Sequence, residues 1–468
     1  MKPIILLDFG STFTKAVLVD REARELLMSI KVPSTVQTNA TIALKSLYQR
    51  IQSELSQSMF EQAPKYATSS AAGGLRMAVI GLTSSLSIIA GKNAAFGAGA
   101  KILRSYSGPL SMHNIHELES LNLEIILFCG GYENGNVNML LHNADLLSKM
   151  RTSVPIIYAG NSIVSEQVLI TLKRKGKVCI VVNNIIPSIG VVDSTKTEEI
   201  IRKLFLKRII NMKGLDNILS MIDRIVMPTP AAVLEAGALL SKGSFQTDGL
   251  GDLLIVDIGG ATTDIHSFCE NKPYQGARII GSPEPYGKRT VEGDLGMRES
   301  SNMVLKQINE KELACELGIS TNQMMDSFKK RVENPDFIPS DAPYRNNVEA
   351  KIDHCIAKNA SRIAVRRHVG RLEPLHSRVC TLVQRGKNLT NIRTIIGTGG
   401  PLQKCEDPAE ILRQALITKQ DQRLNYLLPT SIRTYLDREY VFFAAGILSE
   451  FDPDLAITIM KNSIEEIY

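Results

Sequence analysis

One short segment near the amino terminus constrains the fold of this chain more than any other. Residues 6–15 read LLDFGSTFTK, so an apolar run ends in an Asp and a Gly, and a second apolar run, Ala16 to Val19, follows at once. Apolar runs separated by small residues predict a strand, a tight turn and a second strand. Many buried hairpins turn at Gly for structural reasons alone, so this segment by itself leaves two interpretations open.

The residue types in this turn suit a phosphate group and its metal ion. Gly lets the backbone approach a ligand closely, and successive N–H groups in such a turn form a concave anion site. Asp8, at the strand end, is predicted to hold a hydrated Mg²⁺, and Lys15 adds a positive charge. The predicted binding residues of this turn are Gly10, Ser11, Thr12, Thr14 and Lys15.

A second segment with the same order of residue types lies far downstream and favours the phosphate interpretation. Residues 253–265 read LLIVDIGGATTDI, and residues 394–401 (TIIGTGGP) give a third Gly turn after an apolar strand. Asp257 is the predicted second metal carboxylate. The predicted nucleotide-binding residues of these two turns are Gly259, Gly260, Ala261, Thr262, Thr263, Gly397, Thr398, Gly399, Gly400 and Pro401.

Other phosphate-binding schemes are absent from the sequence. No Gly-Lys pair is followed by Ser or Thr, so the chain has no Walker A loop. No Gly-x-Gly-x-x-Gly follows a predicted strand, so a dinucleotide site of the Rossmann type is not supported.

Length and composition predict a protein of at least two domains without a nucleic-acid or membrane partner. The 468 residues exceed one ordinary core, and 44% hydrophobic with 22% charged residues is typical of soluble globular proteins. The net charge of +6 is mild for this size. Seven widely spaced Cys without a CxxC favour reduced thiols and a cytoplasmic location over a disulfide framework or a zinc site.

The three turns and two helices occur in an order that resembles the actin/Hsp70/sugar-kinase ATPase superfamily. The turns resemble its phosphate-1, phosphate-2 and adenosine motifs, and residues 227–238 and 440–448 resemble its small-residue connecting helices. The resemblance implies an α/β protein with the two-lobed actin-like ATPase (ribonuclease H-like) fold and inserted subdomains. It also implies ATP or ADP with Mg²⁺ as ligands.

The predicted domains follow that architecture. Lobe I covers residues 1–245 with an α/β insertion at about 60–190, lobe II covers 246–440 with a mostly helical insertion at about 289–390, and 441–468 return to lobe I. Strands are expected at Ile4–Asp8, Lys15–Asp20 and Glu25–Val32.

Within the first insertion, residues 122–190 alternate strands with helices, which predicts a parallel α/β unit. Loop residues at its strand ends are open to two interpretations, turn chemistry or a contact with a ligand or partner: Gly130, Gly131, Asn134, Asn161 and Asn183.

The residue that would activate the attacking water is not identified by the sequence. Hsp70-like members carry a Glu just before the Pro-Thr of the first connecting helix, whereas Met227 precedes Pro228 here. Asp8, Asp257, Asp264 and Glu292 are the predicted catalytic acids, with Asp294 a further candidate and structural hydrogen bonding the alternative role. The general base is therefore unassigned, and slow ATP turnover is expected.

Three further segments resemble the glutamate-mutase accessory family: residues 69–77 (SSAAGGLRM), 141–145 (LHNAD) and 289–298 (RTVEGDLGMR). The resemblance extends over essentially the whole chain. It implies a reactivating chaperone that uses ATP to exchange damaged cobalamin in an adenosylcobalamin-dependent mutase or aminomutase of the glutamate mutase, ornithine or lysine aminomutase type. The mismatch-repair ATPase that shares this family's historical name requires an Asp-x-Gly-x-Gly site on a different fold, which this chain lacks.

Two other functions stay open at this point. One is a small-molecule kinase of the same fold, which 5% aromatic content without Trp weakly disfavours, because sugar sites often use aromatic platforms. The other is a nucleotide-sensing or filament-forming actin-like protein. The sequence does not identify the mutase partner, and it leaves open a small second subunit and a homodimer. It lacks Asp-x-His-x-x-Gly, so the chain does not resemble a cobalamin binder itself.

Overall fold

The structure of the chain is a computed structural model, and it describes residues 1–10, 12–36, 38–70, 75–210, 217–334, 337–339, 347–375 and 381–468. In these ranges the strands are β1 (Pro3–Phe9), β2 (Phe13–Asp20), β3 (Glu25–Pro33), β4 (Lys65–Ser69), β5 (Arg76–Gly81), β6 (Lys101–Ser107), β7 (Ile125–Gly130), β8 (Ile156–Gly160), β9 (Cys179–Val181), β10 (Arg224–Pro228), β11 (Leu253–Ile258), β12 (Thr263–Phe268), β13 (Arg278–Ile280), β14 (Gly287–Glu292), β15 (Arg371–Leu375), β16 (Thr381–Arg385), β17 (Thr394–Thr398), β18 (Arg433–Asp437) and β19 (Ile464–Ile467).

The α-helices of the described ranges are α1 (Ala40–Gln52), α2 (Gln57–Gln62), α3 (Ser87–Gly97), α4 (Met112–Ser120), α5 (Asn138–Ser148), α6 (Ser165–Lys173), α7 (Thr195–Ile210), α8 (Thr229–Lys242), α9 (Ser301–Leu305), α10 (Glu310–Leu317), α11 (Thr321–Glu333), α12 (Val348–His368), α13 (Gly400–Lys404), α14 (Pro408–Leu412), α15 (Lys419–Arg423), α16 (Phe442–Leu448) and α17 (Pro453–Ser463).

The first sheet has the strand order β10-β4-β1-β2-β3. Strands β1, β2 and β3 are antiparallel neighbours, whereas β4 and β10 run parallel to β1. Because side chains alternate along a strand, Ile5 and Leu7 of β1 enter the core that α1 covers, and Ile4 and Leu6 enter the core on the other face. The three predicted strands of residues 1–33 are confirmed.

Written from its other edge, the order of the first sheet is β3-β2-β1-β4-β10. The second sheet has the corresponding order β14-β12-β11-β17-β18, with β19 added beside β18. Here β14, β12 and β11 are antiparallel neighbours, and β17 and β18 run parallel to β11. Leu254 and Val256 of β11 pack into a core that includes Phe328 and Ile356 from α11 and α12, while Leu253 and Ile255 face the first sheet.

Two small-residue helices, α8 and α16, pack against each other where the two sheets share a core. A Cβ at Gly446 of α16 would lie 2.1 Å from the carbonyl oxygen of Ala232 in α8, and one at Gly237 would lie 2.4 Å from the Phe268 ring. Glycine permits this close approach of two helix backbones. Two sheets of the same strand order with paired helices between them make this the two-lobed actin-like ATPase (ribonuclease H-like) fold that the sequence predicts.

The third sheet forms the predicted α/β unit. Its order is β6-β5-β7-β8-β9, and every neighbouring pair is parallel. The unit begins with β5 and β6, earlier than the pattern at 122–190 indicated. Helix α3, between β5 and β6 in the chain, is rich in Ala and Gly, and a Cβ at Gly91 would lie 2.7 Å from Val79 and 2.9 Å from Cys129. Tight packing therefore explains the Gly in this helix.

The segment 289–390, predicted to be a mostly helical insertion, contains both helices and strands. Residues 289–292 belong to β14 of the second sheet, and α9, α10, α11 and α12 follow between Ser301 and His368. Strands β13, β16 and β15 form a small separate sheet, which the polar composition of the segment concealed. The lobe boundaries at 245 and 440 stay predictions.

Two sequence expectations about the chain as a whole can be compared with the described ranges. No helix there is long and apolar enough to cross a membrane. The six cysteines in the described ranges are free thiols.

Candidate functional site

One row of side chains crosses the first sheet at the end of β1. Asp8 of β1 is in register with Lys15 of β2 and with Thr68 of β4, and Lys15 is in register with Lys31 of β3. Residues in register on neighbouring strands share a face of the sheet, so the row presents one carboxylate, one hydroxyl and two ammonium groups together.

Asp8 is held by partners from three elements. Its side chain is 2% exposed, and Oδ1 accepts hydrogen bonds from the hydroxyls of Thr229 at 2.6 Å and Thr68 at 3.2 Å. Lys15 Nζ lies 3.6 Å from Oδ2. A buried carboxylate needs such partners, and these fix its orientation with Oδ2 turned toward the lysine.

The turn after Asp8 is narrow because a Gly stands in it. The Gly10 N–H donates to the Phe13 carbonyl over 3.1 Å, and a Cβ at Gly10 would lie 2.6 Å from that oxygen. Ser34 Oγ donates to the Gly10 carbonyl, and Thr12 is exposed at the tip. Ser11, also predicted to bind phosphate, lies outside the described residues.

A corresponding row crosses the second sheet at the end of β11. Asp257 is in register with Asp264 of β12 and with Thr398 of β17. The Thr398 hydroxyl donates to Asp437, at the end of β18, over 3.2 Å. Asp257 therefore occupies the position in the second sheet that Asp8 occupies in the first.

Asp257 differs from Asp8 in its surroundings. Among the residues that the structure describes, none donates a hydrogen bond to its carboxylate. Burial, and next the charge of Asp264, raise the pKa of Asp257 to about 6, while Lys15 opposes the rise. Burial also raises the pKa of Asp437, and Lys15 again acts in the opposite direction. The charge of Lys15, from the first sheet, therefore favours the ionised form of carboxylates in the second sheet.

The backbone of residues 296–300 contacts the second turn directly. The amides of Met297 and Arg298 donate to the carbonyls of Gly259 (3.1 Å) and Gly260 (2.8 Å), and Ser300 Oγ donates to the Ala261 carbonyl (2.9 Å). These bonds use the turn's carbonyl groups. Only the Gly259 N–H closes the hairpin, by donating to Thr262.

The third turn packs closely against the end of β11, beside Asp257. Gly399 has a φ of 103°, and a Cβ there would lie 2.3 Å from the Ile258 carbonyl and 2.9 Å from Asp257 Oδ1. Gly400 begins α13, with Pro401 in its first turn. A left-handed backbone and this close approach both require glycine at 399.

Tyr440 lies against the lysines of the first row. Lys15 Nζ and Lys31 Nζ are 4.6 and 4.7 Å from its ring centroid, distances typical of cation–π contacts. Its φ of 54° is an outlier for a bulky residue, and such strain clusters at functional sites. Burial raises the pKa of its hydroxyl, and the charges of Asp257 and Asp437 add to the rise.

Several predicted site residues do not place their side chains beside the two rows of Asp8 and Asp257. The Thr14 hydroxyl is buried without a partner on the face opposite Lys15, and the Thr263 hydroxyl donates to the Leu295 carbonyl. Gly397 faces Leu402 and Leu412 in the core. Their roles as nucleotide-binding residues stay predictions, and the geometry offers no phosphate contact for these groups.

The other predicted acids are engaged in ion pairs. Asp264 accepts from Arg289 and from the Thr262 hydroxyl, at 2.6 and 3.0 Å. Arg367 binds Glu292 and Asp294, at 2.6 and 2.7 Å. Burial raises the pKa of Glu292 and Arg367 opposes it, whereas Arg367 lowers the pKa of Asp294. A carboxylate held by an arginine is a poor general base, so that role is still unassigned.

Sequence reasoning missed five residues of the site: Thr68, Thr229, Asp437, Tyr440 and Lys31. Asp437 had a weak signal, because it ends a short strand, whereas Asp8 and Asp257 lie one residue before the ends of theirs. Thr229 stood in the quoted Pro-Thr of the first connecting helix. No pattern in the residues around Lys31 indicated that this side chain would lie beside Lys15 on the neighbouring strand.

The donor set of the two rows fits Mg²⁺ held largely through water. Among the described residues, no group of three or more His, Cys, Asp or Glu could hold a metal ion. Asp8 and Asp257 supply two hard oxygen donors, and the Asp257 carboxylate has no competing donor in the described ranges. Mg²⁺ usually keeps several waters and takes one or two carboxylates, which matches this arrangement.

The fold and the site place the chain in the class of two-lobed actin-like ATPase-fold proteins. A profile of one family, described as "MutL protein", matches residues 4–464. Protein MutL from Clostridium tetanomorphum is 38% identical over 469 aligned residues, which cover 100% of both chains. The chain therefore belongs to the MutL protein family.

The solved structures that match the chain do so at low sequence identity and with low TM-scores. A glycerol dehydratase reactivase is 11% identical, with 96% of this chain and 99% of that chain covered and a TM-score of 0.37. The xylulose kinase from Bifidobacterium adolescentis is 11% identical, with 99% and 94% covered and a TM-score of 0.29. The fold assignment rests on this chain's own strand order and paired helices.

Proposed function

We propose that this chain is a slow Mg²⁺-dependent ATPase that acts as a reactivating chaperone for an adenosylcobalamin-dependent mutase or aminomutase. The observation that carries the nucleotide part is the correspondence of Asp8 and Asp257. Each lies one residue before the end of its strand, β1 or β11, and each is followed by a Gly turn. Lys15 Nζ lies 3.6 Å from Asp8 Oδ2, and the Lys15 charge also opposes the rise in the pKa of Asp257.

In this proposal the phosphate chain lies between the two turns. Lys15 neutralises phosphate charge, and the backbone N–H groups of both turns are the candidate donors to phosphate oxygens. Mg²⁺, when bound, neutralises charge on the β- and γ-phosphates. Asp8 and Asp257 hold its waters, and Thr229 and Thr68 keep the Asp8 carboxylate in one orientation. Gly399 and Gly400 leave room for the nucleoside beside Asp257.

Slow turnover follows from the same geometry. A carboxylate in the first turn of α8, near the attacking water, would accelerate hydrolysis. This chain has Thr229 there, and the Thr229 hydroxyl donates its hydrogen bond to Asp8. The carboxylates of Asp264 and Glu292 are engaged in ion pairs with Arg289 and Arg367. Hydrolysis that is slow alone suits a protein whose nucleotide state must persist while it acts on a partner.

The chaperone part rests on membership of the MutL family and on the resemblance of segments 69–77, 141–145 and 289–298 to the glutamate-mutase accessory family. The assay below tests which cobalamin-dependent enzyme is served, and the proposal requires neither a small second subunit nor a homodimer. A small-molecule kinase and a nucleotide sensor or filament are the competing functions.

The test is ATP turnover by the purified protein, alone and with a cobalamin-inactivated glutamate mutase or aminomutase, with Asp8→Ala as the control. Stimulated hydrolysis together with recovered mutase activity, both lost in the variant, is the expected result. Phosphate transfer to a metabolite without any effect of a mutase would replace the proposal by the kinase. ATP-dependent sedimentation would favour the filament, and absence of nucleotide binding would refute all of these functions.

A further inference from the structure

The carboxyl end of α3 is held by two arginines from different parts of the fold. Arg289 Nη1, from β14 of the second sheet, donates to the Phe96 carbonyl over 3.0 Å. Arg202 Nη2, from α7, donates to the Gly97 carbonyl over 3.3 Å. Cations at a helix carboxyl end satisfy its free carbonyl groups and its dipole, so these contacts stabilise the last turn of α3.

The other contacts of Arg289 lie behind the second phosphate turn. Its Nε and Nη2 donate to Asp264 Oδ1 at 2.9 and 2.6 Å, and the other oxygen of that carboxylate accepts the Thr262 hydroxyl at 3.0 Å. Arg289 is 5% exposed, so little solvent competes for these bonds. One guanidinium thus contacts both the acid that holds the second phosphate turn and a helix of the α/β unit, defined as β5–β9 with α3–α6.

Helix α3 packs against central strands of the sheet of the α/β unit, so a displacement of α3 would displace the sheet as well. Gly91 lies against Val79 of β5 and Cys129 of β7. The segment before α3 also touches the second lobe, where the Ser282 N–H donates to the Ser85 carbonyl over 3.0 Å. A small displacement of the Arg289 side chain would therefore move or release the carboxyl end of α3. The amino end of α3 follows a segment with its own contact to the second lobe.

We propose that Arg289 is a positioning residue that couples occupancy of the second phosphate turn to the position of the α/β unit. The inference rests on the proposed nucleotide site and adds the contact through which nucleotide binding would change the position of the α/β unit. A phosphate bound at the turn draws on the Thr262 hydroxyl, which changes the hydrogen bonding of Asp264 and so the bidentate pair with Arg289. The same guanidinium then changes its contact with the Phe96 carbonyl.

Arginine chemistry makes the proposal specific. The planar fork lets one side chain bind a carboxylate with two N–H groups and a carbonyl with a third, and lysine cannot reproduce this. Arg289→Lys is therefore expected to keep the charge beside Asp264 and lose the link to α3. Arg202→Lys is the matched control, because Arg202 contacts the same helix end and pairs with Glu235 of α8, but touches no residue of the phosphate turn.

The experiment is hydrogen–deuterium exchange of the full-length protein with and without Mg²⁺ and a non-hydrolysable ATP analogue at saturation. The peptides of interest cover residues 96–100, where the Ala98, Gly99 and Ala100 amides donate back to the last turn of α3. In the wild type the analogue is expected to change their exchange rates at least threefold. Arg202→Lys keeps that response and the affinity of the wild type.

Arg289→Lys is expected to bind the analogue within about threefold of the wild-type affinity, and Arg289→Ala about tenfold more weakly, a loss of about 1.4 kcal/mol. Both lose the response at residues 96–100. A response that persists in Arg289→Lys, or a wild type that binds the analogue without any change there, would overturn the coupling. A wild type that binds no nucleotide would refute the proposed function. In that case faster exchange at 96–100 in unliganded Arg289→Lys would still support the contact with α3, and unchanged exchange would overturn it.

Discussion

The hydroxyl of Thr229 donates a hydrogen bond to Asp8 Oδ1 over 2.6 Å. These residues are 221 positions apart. Thr229 is the first residue of α8, and Asp8 is the last but one residue of β1, beside the first phosphate turn. The bond therefore joins a helix packed between the lobes to the carboxylate proposed to hold the metal ion, so a change in the position of α8 changes the environment of Asp8.

Replacing Thr229 by Val removes this bond while nearly preserving shape. A buried carboxylate that loses a donor costs about 1–3 kcal/mol, so urea denaturation should show a stability loss of that size. We also expect ATP turnover to fall about tenfold, since Asp8 is no longer fixed in one orientation. Thr68→Val is the matched control: its hydroxyl lies farther from Asp8, at 3.2 Å, and a smaller effect is expected. Equal effects of the two variants would contradict a special role for α8.

The affinity for Mg²⁺-nucleotide should depend on pH through Asp257. Its pKa is raised to about 6, chiefly by burial, so the carboxylate is ionised at pH 7.5 and mostly protonated at pH 5. Because a protonated carboxyl is a poor partner for a hydrated metal ion, binding measured by calorimetry should weaken severalfold between pH 7.5 and pH 5. In Asp257→Asn the affinity should be low and flat over this range. A wild-type affinity that is constant with pH would count against the role of Asp257 at the metal.

The same carboxylate should destabilise the protein without ligand. A folded-state pKa above the unfolded value means that ionisation opposes folding, so this group's cost appears as the pH rises from about 4 through about 6. Because Asp257 is partly accessible to solvent, Asp257→Asn should be more stable than the wild type by about 1–2 kcal/mol at pH 7.5, and by about a third of that amount at pH 4.5. Thermal denaturation at the two pH values measures the difference. A variant that is less stable than the wild type at pH 7.5 would refute this expectation.

The contact between α8 and α16 should not tolerate an added methyl group. At Gly446 a Cβ would lie 2.1 Å from the Ala232 carbonyl, so Gly446→Ala must separate the two helices. We expect a loss of about 2–4 kcal/mol in stability, typical of overpacking against backbone, together with weaker nucleotide binding. Gly293→Ala is the control, because its nearest neighbour is a lysine side-chain atom at 3.7 Å. Wild-type stability of Gly446→Ala would show that the helices are more loosely packed than described.

The repeated Asp-and-Gly turns could be predicted because each is local. In residues 6–15 and 253–265 the strand, the turn and the next strand follow within a dozen positions, so residue order alone gives the hairpin. The 21-residue helix α12 was predictable for a similar reason, since its apolar spacing is regular over many turns. Parallel neighbours such as β4, in contrast, come from distant segments, and no local pattern names their partner.

The alternation of side chains along a strand decided which hydroxyls lie on the same face of the sheet as Asp8 and Lys15. Thr14 precedes Lys15, and successive side chains point to opposite faces, so when Lys15 lies beside Asp8 the Thr14 hydroxyl is buried on the other face. Thr263 and Asp264 are divided in the same way. Composition of the turn suggested more phosphate-binding hydroxyls than the pleat of the strands allows.

By itself the sequence determined the class of the fold, the two carboxylates at the strand ends and the turns that follow them, because short-range order of apolar, acidic and small residues specifies a hairpin. Only the tertiary structure decided the state of each acid. Thr229 and Thr68 reached Asp8, and Arg289 reached Asp264, from segments distant in the chain, while Asp257 received no donor from the described residues. A side chain's charge and availability depend on what folding places within a few ångströms of it, and that distance is set by the packing of whole elements.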